Sequence, residues 1–520
     1  MLRVLNAAEM READRITIED RGVPGLVLME NAAAAVTRAL RAAVPDLGSA
    51  KVLVLCGKGN NGGDGLAIAR QLLLLHPRID LRTVVLAGPE ALSPDARANF
   101  EMLAAQDHQA LVAATTDAWQ SLLPGLADST VIVDAILGTG LRGPARGLSA
   151  TAIAAVNHGF RNAAVFAVDM PSGLGSDSGD LLGESMRADR TVTFTAPKAS
   201  QVLAPSCEHA GRLAVARIGT ADSVLEGLPG PRLFLGEEGD LRSFAAPRDR
   251  SGHKGDYGHV LAVGGSRSKP GAILMAGTAA LRAGAGLVTV VTAAGAANAV
   301  VGKTPELMLE PAAELEDGTL GPDSFDPALF AGKTVAAVGP GLGRSDRNLA
   351  LARKVCESCP VPLVVDADGL AAFEAGRPPR RRAATVLTPH PGEMGRLLGR
   401  DAGHVQRHRL EVARELAAET GAHVVLKGNR TVVAAPGGDA IVNPTGTPGM
   451  ATAGSGDILT GIVAALLAQF PQRPVLRTVA AAVYLHGRAG ELAAAAMGEQ
   501  GMLATDIARC LADAAKGLNR

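Results

Sequence analysis

Residues 447–461, T-P-G-M-A-T-A-G-S-G-D-I-L-T-G, place a carboxylate directly after a run of small residues. Apolar residues recur at helical spacing from Ile458, so Asp457 is predicted at a helix start, where aspartate is a good N-cap. Gly454 and Gly456 free the backbone to present N–H groups to an anion, and the helix dipole favours the same charge. A carboxylate there suits removal of a proton from a hydroxyl that attacks phosphate. The stretch predicts either a helix cap or the base of a phosphoryl transfer.

A second glycine-rich stretch, C-G-K-G-N-N-G-G-D-G-L at residues 56–66, follows an apolar strand and precedes a helix. It satisfies G-x-G-x-x-G, which is a weak signal alone because a tight strand–helix turn without a ligand produces it too. The acidic residue expected of an NAD site, here Glu90, comes later than usual. Asn60, Asn61 and Asp64 add oxygen and amide groups where a pyrophosphate would pack on bare backbone. We therefore expect a ligand bound differently from a standard dinucleotide, together with a cation.

Two further aspartates end apolar runs in the same half of the chain. Asp134 precedes A-I-L-G-T-G-L-R-G-P, and Asp169 precedes M-P-S-G-L. Ligands of open α/β sheets bind at the carboxyl ends of the strands, so three polar loops there favour a site. Each aspartate taken alone could equally be the N-cap of the next helix.

The aspartates and glycine-rich loops described above would meet if the apolar runs before them form parallel sheets. Short β-branched runs alternate with helical patterns, and their near-continuous apolar character predicts α/β layers with helices on both faces. A hairpin is predicted at Gly428-Asn429. The pattern breaks between residues 220 and 252, which predicts a domain at 1–225, a linker at 226–240 and a domain at 241–520. Candidate strands begin at Lys51, Arg82, Thr130, Ala163 and Arg190 in the first half, and at Gly258, Gly286, Thr334, Pro362 and Ala384 in the second.

The totals restrict the class of protein. The formal net charge of −1 gives no sign of a nucleic-acid partner, and five cysteines do not form a disulfide framework. Cys356 and Cys359 form a lone C-x-x-C that is interpreted as structural. The N-terminus is too charged for a signal peptide, and the run 283–301 is too polar for a membrane span. We expect a cytoplasmic homo-oligomer with no nucleic-acid or membrane partner.

The first half resembles the NAD(P)H-hydrate epimerase family over residues 1–225. The motifs G-N-N-G-G-D-G, D-A-I-L-G-T-G and V-D-M-P-S-G-L carry the resemblance. It implies a Rossmann-like domain that interconverts the R and S hydrates of NADH and NADPH, with K⁺ bound by Asn61, Asp134 and Ser172. Asp169 is the expected acid/base, and Lys198 is either its helper or a solvated lysine. The implied substrate contacts are Asn60, Asn61, Gly62, Gly63, Asp64, Gly138, Thr139, Gly140, Leu141, Arg142, Gly143, Pro144 and Asp169.

The second half is similar to the ADP-dependent NAD(P)H-hydrate dehydratase family over residues 240–515. The motifs are H-K-G-D-Y-G-H-V-L-A-V-G-G-S, A-L-R-A-G-A-G-L-V, V-G-P-G-L-G, V-D-A-D-G-L, T-P-H-P-G-E, V-L-K-G-N-R-T and the G-S-G-D loop, where Ala453 replaces a frequent glycine. The resemblance implies a ribokinase-like α/β domain. In it, Asp457 would deprotonate the 6-hydroxyl of the S hydrate and ADP would donate its β-phosphate, leaving AMP. Expulsion of phosphate then restores NAD(P)H.

The same resemblance assigns residues to the ligands. It implies Mg²⁺ with ADP, and Glu393 is a candidate to orient a magnesium-bound water. Asp366 and Asp368 could act similarly or simply cap strand ends. His390 could instead fill a rigid loop between prolines, and Lys427 could be a solvated turn lysine. The implied hydrate contacts are Ala272, Gly341, His390 and Asp457, and the implied nucleotide contacts are Lys427, Gly428, Asn429, Arg430, Thr431 and Gly456.

Two functions follow for the whole chain. The first is repair of hydrated NADH and NADPH (NADHX and NADPHX), with one half equilibrating the epimers and the other dehydrating the S form. The alternative is a ribokinase-like small-molecule kinase with an N-terminal nucleotide-sensing or interaction module.

Overall fold

The computed structural model describes residues 1–374 and 377–518, which form two compact units. One unit is Leu2–Gly230, and the other begins at Pro231 and includes Met1. The predicted linker, 226–240, straddles this division. Part of it, the strand Leu233–Leu235, pairs in parallel with Ala440–Val442 inside the C-terminal unit. The limits of the two catalytic domains stay a prediction.

The N-terminal unit is built on a parallel sheet, as its apolar strands predict. The predicted strand positions are confirmed, and two edge strands, Leu111–Val112 and Arg212–Ala216, were not predicted from the sequence. Both are short or poorly buried, so they lack the continuous apolar run that marks a central strand. The spatial order is Leu111–Val112, Asp80–Val85, Lys51–Cys56, Val131–Ala135, Ala164–Val168, Arg190–Phe194 and Arg212–Ala216.

Helices cover both faces of this sheet. Val52 and Val54 belong to one hydrophobic core, and Leu53 and Leu55 belong to another, because successive side chains of a strand point to opposite faces. The first core also contains side chains of the helices Gly25–Ala43 and Asn60–Leu75, and the second contains Trp119 and Ile153. The helices of the unit are Ala7–Arg15, which continues as a π-helical turn at Ile16–Asp20, Gly25–Ala43, Asn60–Leu75, Pro94–Ala104, Thr116–Leu126, Gly147–Gly159, Ala199–Val202 and Asp222–Gly227. A further short strand is Leu2–Val4.

The strand order reverses between Lys51–Cys56 and Val131–Ala135. The chain first adds strands on one side of Lys51–Cys56 and then continues on the other side. The loops that leave these two neighbouring strands therefore diverge, which opens a crevice at their carboxyl ends. The glycine-rich loop and the loop 137–144 flank this crevice, so the fold places the predicted epimerase motifs at its binding edge.

The C-terminal unit contains a larger, mainly parallel sheet. Antiparallel pairings in this sheet join His423–Leu426 to Val432–Ala434, and Val432–Ala434 to Ala440–Val442. The predicted hairpin at Gly428-Asn429 is thereby confirmed. The strand order is Leu233–Leu235, Ala440–Val442, Val432–Ala434, His423–Leu426, Thr385–Leu387, Leu363–Val365, Val335–Val338, His259–Val263, Leu287–Ala293 and Met308–Ala312.

The helix Ser455–Gln469 lies at the centre of the core of this unit. Its side chains are almost all buried from Ile458 onward, and it packs closely on the helix Pro270–Arg282. A methyl group on Gly461 would lie 2.1 Å from the carbonyl oxygen of Ala276, so glycine is required where the two helices approach. The helices of the unit are Pro270–Arg282, Ala297–Val301, Asp346–Ser358, Pro391–Leu398, Ala402–Arg407, Arg409–Thr420, Ser455–Gln469, Val475–Met497 and Ala504–Gly517.

The apolar run 283–301 passes from a helix end into a strand. It contains Leu287–Ala293, which is followed by the short helix Ala297–Val301. In the part of the chain that the structure describes, no helix has both the length and the hydrophobicity needed to cross a bilayer.

Candidate active sites

The glycine-rich loop of the N-terminal unit folds tightly against the neighbouring strand end. A Cβ on Gly57 would lie 1.9 Å from the carbonyl oxygen of Ile136, and one on Gly62 would lie 1.9 Å from the carbonyl oxygen of Gly57. No side chain fits either position, so these glycines are dictated by packing. The helix Asn60–Leu75 begins inside the motif, which places Asn60 and Asn61 in its first turn.

Asp134 and Ser172 meet beside this loop. The Ser172 hydroxyl donates to one carboxylate oxygen of Asp134 at 2.6 Å, and the Ser172 N–H donates to the other at 2.7 Å. The backbone N–H of Leu137 donates to the Ser172 hydroxyl at 2.8 Å. Burial raises the pKa of Asp134 to about 6, despite the hydrogen bonds from Ser172 and Ile136 that favour its charged form. Asp134 is fully buried and forms no ion pair with any described residue, so it would gain from a bound cation.

Asn61 completes this group. A Cβ on Gly138 would lie 3.3 Å from the Asn61 Cβ, so the Asn61 side chain packs on the loop that Ser172 also holds. The Asn61 side-chain amide nitrogen is buried and has no hydrogen-bond partner among the described residues. The two ends of an amide are assigned from their surroundings, so a free amide position also suits its oxygen and a cation. A carboxylate, a hydroxyl and an amide form a donor set that fits K⁺.

The rest of the predicted substrate loop is more open. Leu137, Gly138 and Thr139 are half-buried, and Ser176 donates to the carbonyl oxygen of Thr139 at 3.1 Å. A Cβ on Gly140 would meet nothing within 4 Å. The half-buried and exposed residues that follow are Gly140, Leu141, Arg142, Gly143 and Pro144. Backbone is thus accessible to a ligand along this loop.

Asp169 and Lys198 form a buried ion pair at the next strand end. Asp169 adopts φ +61°, which is uncommon for a residue other than glycine. Its carboxylate accepts hydrogen bonds from the Lys198 ammonium, the Thr193 hydroxyl and the Phe194 N–H. Lys198 is fully buried, and its ammonium also donates to the Thr193 hydroxyl at 2.9 Å and the Phe194 carbonyl at 3.1 Å. The interpretation of Lys198 as a solvated lysine is therefore wrong.

Two further carboxyls lie within electrostatic reach of this pair. Burial raises the pKa of Asp14 to about 6, with Lys198 lowering it and Asp169 raising it. Burial also raises the pKa of Asp64 well above its usual range, and the charges of Asp169, Asp14 and Asp95 add to this. Asp14 was not predicted from the sequence, because it lies within a charged, amphipathic first helix that reads as a surface element.

Asp457 lies in the first turn of its helix but does not cap it. The helix begins at Ser455, and the N-cap position is Gly454, which has φ +92°. The expectation that Asp457 is an N-cap is therefore wrong, because Gly454 holds that position and Asp457 is the third residue of the helix. Burial raises the pKa of Asp457 to about 7, and the charge of Asp366 raises it further while Lys427 lowers it.

Asp366 and Lys427 form the centre of this second site. The Lys427 ammonium donates to one carboxylate oxygen of Asp366 at 2.7 Å and lies 3.7 Å from the Glu393 carboxylate. The same Asp366 oxygen accepts from the Thr388 hydroxyl at 2.7 Å, and the other accepts from the Thr460 hydroxyl at 2.7 Å. Asp366 is 1% exposed and makes no capping hydrogen bond, so it is not a simple strand-end cap. Lys427 is not a solvated turn lysine.

The Lys427 ammonium sits close to the start of the Asp457 helix. A Cβ on Gly456 would lie 3.3 Å from the Lys427 nitrogen and 3.8 Å from an Asp366 oxygen. Burial opposes the charge of Lys427, but the charges of Asp366, Glu393 and Asp457 outweigh it and raise the pKa of Lys427. A permanent cation therefore lies beside the free N–H groups of a helix N-terminus, which together attract an anion.

His390 has a structural task of its own. It is the N-cap of the helix Pro391–Leu398, and its Nδ1 accepts from the N–H groups of Gly392 at 3.0 Å and Glu393 at 3.3 Å. The ring is 52% exposed, and its Nε2 lies 3.4 Å from a Glu393 oxygen. Partial burial lowers the pKa of His390, and Lys427 lowers it further against the opposing effect of Glu393. A neutral, exposed ring edge remains accessible to a ligand.

The remaining predicted contacts fall on two turns. Gly341 has φ +64°, and a Cβ there would lie 3.0 Å from the Ala272 Cβ, so these two predicted hydrate contacts are neighbours. Gly428 and Arg430 have φ +129° and +55° in the hairpin turn, where the Thr431 hydroxyl donates to the Gly428 carbonyl at 2.8 Å. Asn429, another predicted nucleotide contact, lies between Gly428 and Arg430 in the same turn.

A buried arginine supports the hairpin turn through hydrogen bonds to its backbone. Arg409 is 3% exposed, and its guanidinium donates to the carbonyl oxygens of Leu426 at 2.9 Å and Lys427 at 3.2 Å. Burial lowers the pKa of Arg409 to about 10. The support was not predicted, because Arg409 lies between charged helical residues that read as a solvated face.

Known proteins match both halves of the chain. A family described as YjeF-related protein N-terminus matches residues 25–200, and one described as NAD(P)H-hydrate dehydratase matches residues 260–513. The bifunctional NAD(P)H-hydrate repair enzyme Nnr of Moorella thermoacetica is 42% identical over 513 residues, covering 97% of this chain and 95% of the relative. The chain belongs to the family of bifunctional NAD(P)H-hydrate repair enzymes.

Other proteins extend this comparison. The repair enzyme Nnr of Thermofilum pendens is 37% identical over 525 residues, covering 99% of this chain and 97% of the relative. Among solved structures, the ADP/ATP-dependent NAD(P)H-hydrate dehydratase of Bacillus subtilis, co-crystallized with ATP and Mg²⁺, is 32% identical. It covers 55% of this chain and 98% of its own length, with a TM-score of 0.48.

Membership in the repair-enzyme family confirms the predicted fold class and the pairing of an epimerase domain with a dehydratase domain. The kinase alternative is not favoured. The individual ligand contacts stay predictions. The structure adds residues that the sequence did not single out, namely Asp14, Thr193, Thr388, Arg409 and Thr460, together with Gln201, whose side-chain amide donates to the Asp169 carbonyl oxygen at 2.6 Å. The threonines are small polar residues in or beside apolar segments, and Asp14 and Arg409 lie among other charged residues, so each role is recognisable only once the partner is known.

Proposed function

We propose that the C-terminal unit dehydrates the S hydrate of NADH and NADPH while consuming ADP, through Asp457 as the base. The observation that carries this is the position of Asp457, in the first turn of a helix whose start is flanked by the Lys427 ammonium. Its pKa of about 7 means that a large fraction of the carboxyl is both deprotonated and able to accept a proton near neutral pH.

The chemistry follows from this arrangement. Asp457 removes the proton from the 6-hydroxyl of the hydrate, and the freed oxygen attacks the β-phosphate of ADP, so AMP leaves. Lys427 and the N–H groups at the start of the helix Ser455–Gln469 stabilise the charge on the transferred group. The C6–O bond of the new phosphate ester then breaks, assisted by the lone pair of the ring nitrogen, and phosphate leaves. The resulting iminium loses a proton from C5, which restores the C5=C6 double bond of the reduced nicotinamide.

The ligand positions are proposed from the same neighbourhood. The hydrate contacts Ala272, Gly341, His390 and Asp457, and the nucleotide contacts Gly456 and the hairpin turn Lys427, Gly428, Asn429, Arg430 and Thr431. Mg²⁺, when bound with the nucleotide, supplies charge that neutralises phosphate oxygens. The buried Glu393 carboxylate lies 3.7 Å from the Lys427 ammonium and suits the orientation of a magnesium-bound water.

In the N-terminal unit, we propose that Asp169 carries out the acid/base step of epimerisation and that Lys198 fixes its carboxylate. Epimerisation requires a bond at the hydrated carbon to break and re-form on the other face, and the open backbone of residues 138–144 with Asn60 to Asp64 holds the substrate meanwhile. Asn61, Asp134 and Ser172 would hold K⁺. Its charge would offset the buried Asp134 carboxylate, whose pKa is otherwise raised to about 6.

One assay tests both activities. A mixture of R and S hydrate is supplied with ADP or ATP, with and without K⁺, and NADH recovery is followed by its absorbance. We expect complete recovery with ADP and K⁺, and a residue of R hydrate when epimerisation is blocked. A stable phosphorylated product in place of NADH would instead establish a kinase. The predicted homo-oligomer is checked by light scattering, and the predicted cytoplasmic location by cell fractionation.

A further inference from the structure

Asp366 binds three separate elements of the C-terminal unit through one buried carboxylate. Its hydrogen bonds reach Thr388, which follows the strand Thr385–Leu387, Lys427, which follows His423–Leu426, and Thr460, in the helix Ser455–Gln469. Each of these bonds is 2.7 Å long. Burial alone would raise the pKa of Asp366, but the Lys427 charge and the three hydrogen bonds outweigh burial and lower it. The carboxylate is therefore a permanent anion.

We propose that Asp366 is a positioning residue of the dehydratase site, which holds the Lys427 ammonium at the start of the Asp457 helix so that it meets the nucleotide phosphates. This inference rests on the proposed nucleotide site. A lysine side chain has four rotatable bonds and loses much freedom when it is fixed, so an unanchored Lys427 would sample several positions. The ion pair with Asp366 selects the one in which the ammonium lies beside Gly456.

The geometry leaves Lys427 free to act. An ammonium has three donors, and Asp366 accepts one of them at 2.7 Å while Glu393 is farther away at 3.7 Å. Donors thus remain for an anion at the helix N-terminus. The Thr460 hydroxyl donates to the other Asp366 oxygen from the same helix that carries Asp457, so Asp366 links the Lys427 ammonium to that helix.

A purely structural role is the competing explanation, since breaking a buried ion pair destabilises a fold. A double-mutant cycle on the full chain separates the two. Asp366→Asn, Lys427→Met and the double variant are compared for their ADP dissociation constants by calorimetry, and for the KM of the S hydrate. If Asp366 acts through Lys427, Asp366→Asn weakens ADP binding about 10–100-fold in the wild-type background, as for a lost charged hydrogen bond. In the Lys427→Met background it should change ADP binding by less than about threefold.

A second variant, Thr460→Val, tests the same proposal if Asp366→Asn fails to fold. Thr460→Val removes one hydrogen bond to Asp366 and leaves the ion pair charged, so we expect a folded protein with about 3–10-fold weaker ADP binding. Thr478→Val is the matched control, because Thr478 is a fully buried helical threonine whose hydroxyl donates to the Pro474 carbonyl. It should leave ADP binding unchanged.

Equal effects of Asp366→Asn in both backgrounds would overturn the proposal, as would equal losses of ADP and hydrate affinity. Unchanged ADP binding in a folded Thr460→Val would count against it in the same way. Because ADP binding is measured directly, failure of the wild-type protein to regenerate NADH would overturn the proposed reaction and leave this test of Asp366 intact.

Discussion

In each unit a largely buried lysine forms an ion pair with an aspartate that follows a parallel strand. The units differ in whether that aspartate is also the predicted acid/base group. In the N-terminal unit, Asp169 is itself the partner of Lys198. In the C-terminal unit, the partner of Lys427 is Asp366, and the predicted base, Asp457, stands apart on a helix. One site combines the anchor and the predicted acid/base group in a single carboxylate, and the other divides them between two.

The raised pKa values follow this division. In the C-terminal unit, a pKa of about 7 belongs to the predicted base itself. In the N-terminal unit, raised pKa values belong to Asp14 and Asp64, which neighbour the Asp169–Lys198 pair, and to Asp134 of the predicted cation site. A substitution should therefore separate chemistry from structure in the C-terminal unit and disturb both together in the N-terminal unit.

The largest effect is expected for Asp457→Asn. The amide keeps the shape of the side chain but cannot accept the hydroxyl proton, so ADP-dependent NADH recovery from S hydrate should fall by about 10²–10⁴-fold. The thermal stability of the protein should not fall, because Asp457 makes no side-chain hydrogen bond or ion pair with any residue that the structure describes. Rates come from the absorbance of NADH, and epimerisation is followed by chromatography of the two hydrates. Full dehydratase activity in this variant would refute the assignment of the base.

Asp169→Asn should show the opposite combination. Epimerisation should fall by about 10²-fold or more, because the acid/base group is lost and Lys198 is no longer held. Removing one partner of a buried ion pair should also cost the N-terminal unit about 3–5 kcal/mol of its free energy of unfolding. Chromatography should show R hydrate left behind while S hydrate still disappears with ADP. Unchanged stability would mean that the Asp169–Lys198 ion pair does not stabilise the N-terminal unit.

The two sites also differ in how far the sequence predicts them. The sequence singles out Asp134, Asp169 and Asp457 because each adjoins a glycine-rich turn at the end of an apolar segment, and their chemical roles stay predictions. The parallel strands were predicted because burial on both faces leaves a continuous apolar run, as in K-V-L-V-L-C. Edge strands such as Leu111–Val112 lack that run and escaped detection.

Partners across the fold were not predictable in the same way. Asp366 and Lys427 are far apart in sequence, and neither position indicates that a parallel sheet will place their side chains in contact. The sequence predicts Asp457 as the N-cap of its helix, because an aspartate before an apolar run usually precedes the helix. Here Gly454, in a left-handed conformation, ends the loop earlier and moves Asp457 inside the helix.

The raised pKa of Asp457 predicts a smaller, pH-dependent effect on stability. A carboxyl whose pKa is about 7 in the folded state and 3.8 otherwise binds its proton more tightly when folded. Its favourable contribution is therefore complete below pH 4 and is lost as the pH rises through 7. Asparagine does not titrate, so the Tm of Asp457→Asn relative to wild type should rise by about 2–4 °C between pH 5 and pH 8.

A matched control distinguishes this from a general effect of charge removal. Asp401 has a lowered pKa, because it accepts a hydrogen bond from the His404 N–H at a helix start. Its contribution is lost only as the pH falls below its ordinary range, so Asp401→Asn should show no trend between pH 5 and pH 8. A similar trend in both variants would contradict the assignment of the raised pKa to Asp457.

The smallest effect, a modest weakening of ADP binding, is expected for Gly456→Ala, because the two glycine-rich loops differ in how much room they leave for a methyl group. At Gly57 a methyl group would meet the Ile136 carbonyl oxygen at 1.9 Å, which is fixed backbone, whereas at Gly456 it would lie 3.3 Å from the end of the Lys427 side chain. Gly456→Ala should therefore fold, with a gain from the higher helix propensity of alanine. The methyl crowds an ammonium that Asp366 restrains, so calorimetry should show ADP binding weakened by about 3–10-fold. Because Lys427 has no room to retreat while Asp366 holds it, the same substitution in Asp366→Asn should weaken ADP binding less. An equal loss in both backgrounds would mean that the ammonium is not held against the helix start.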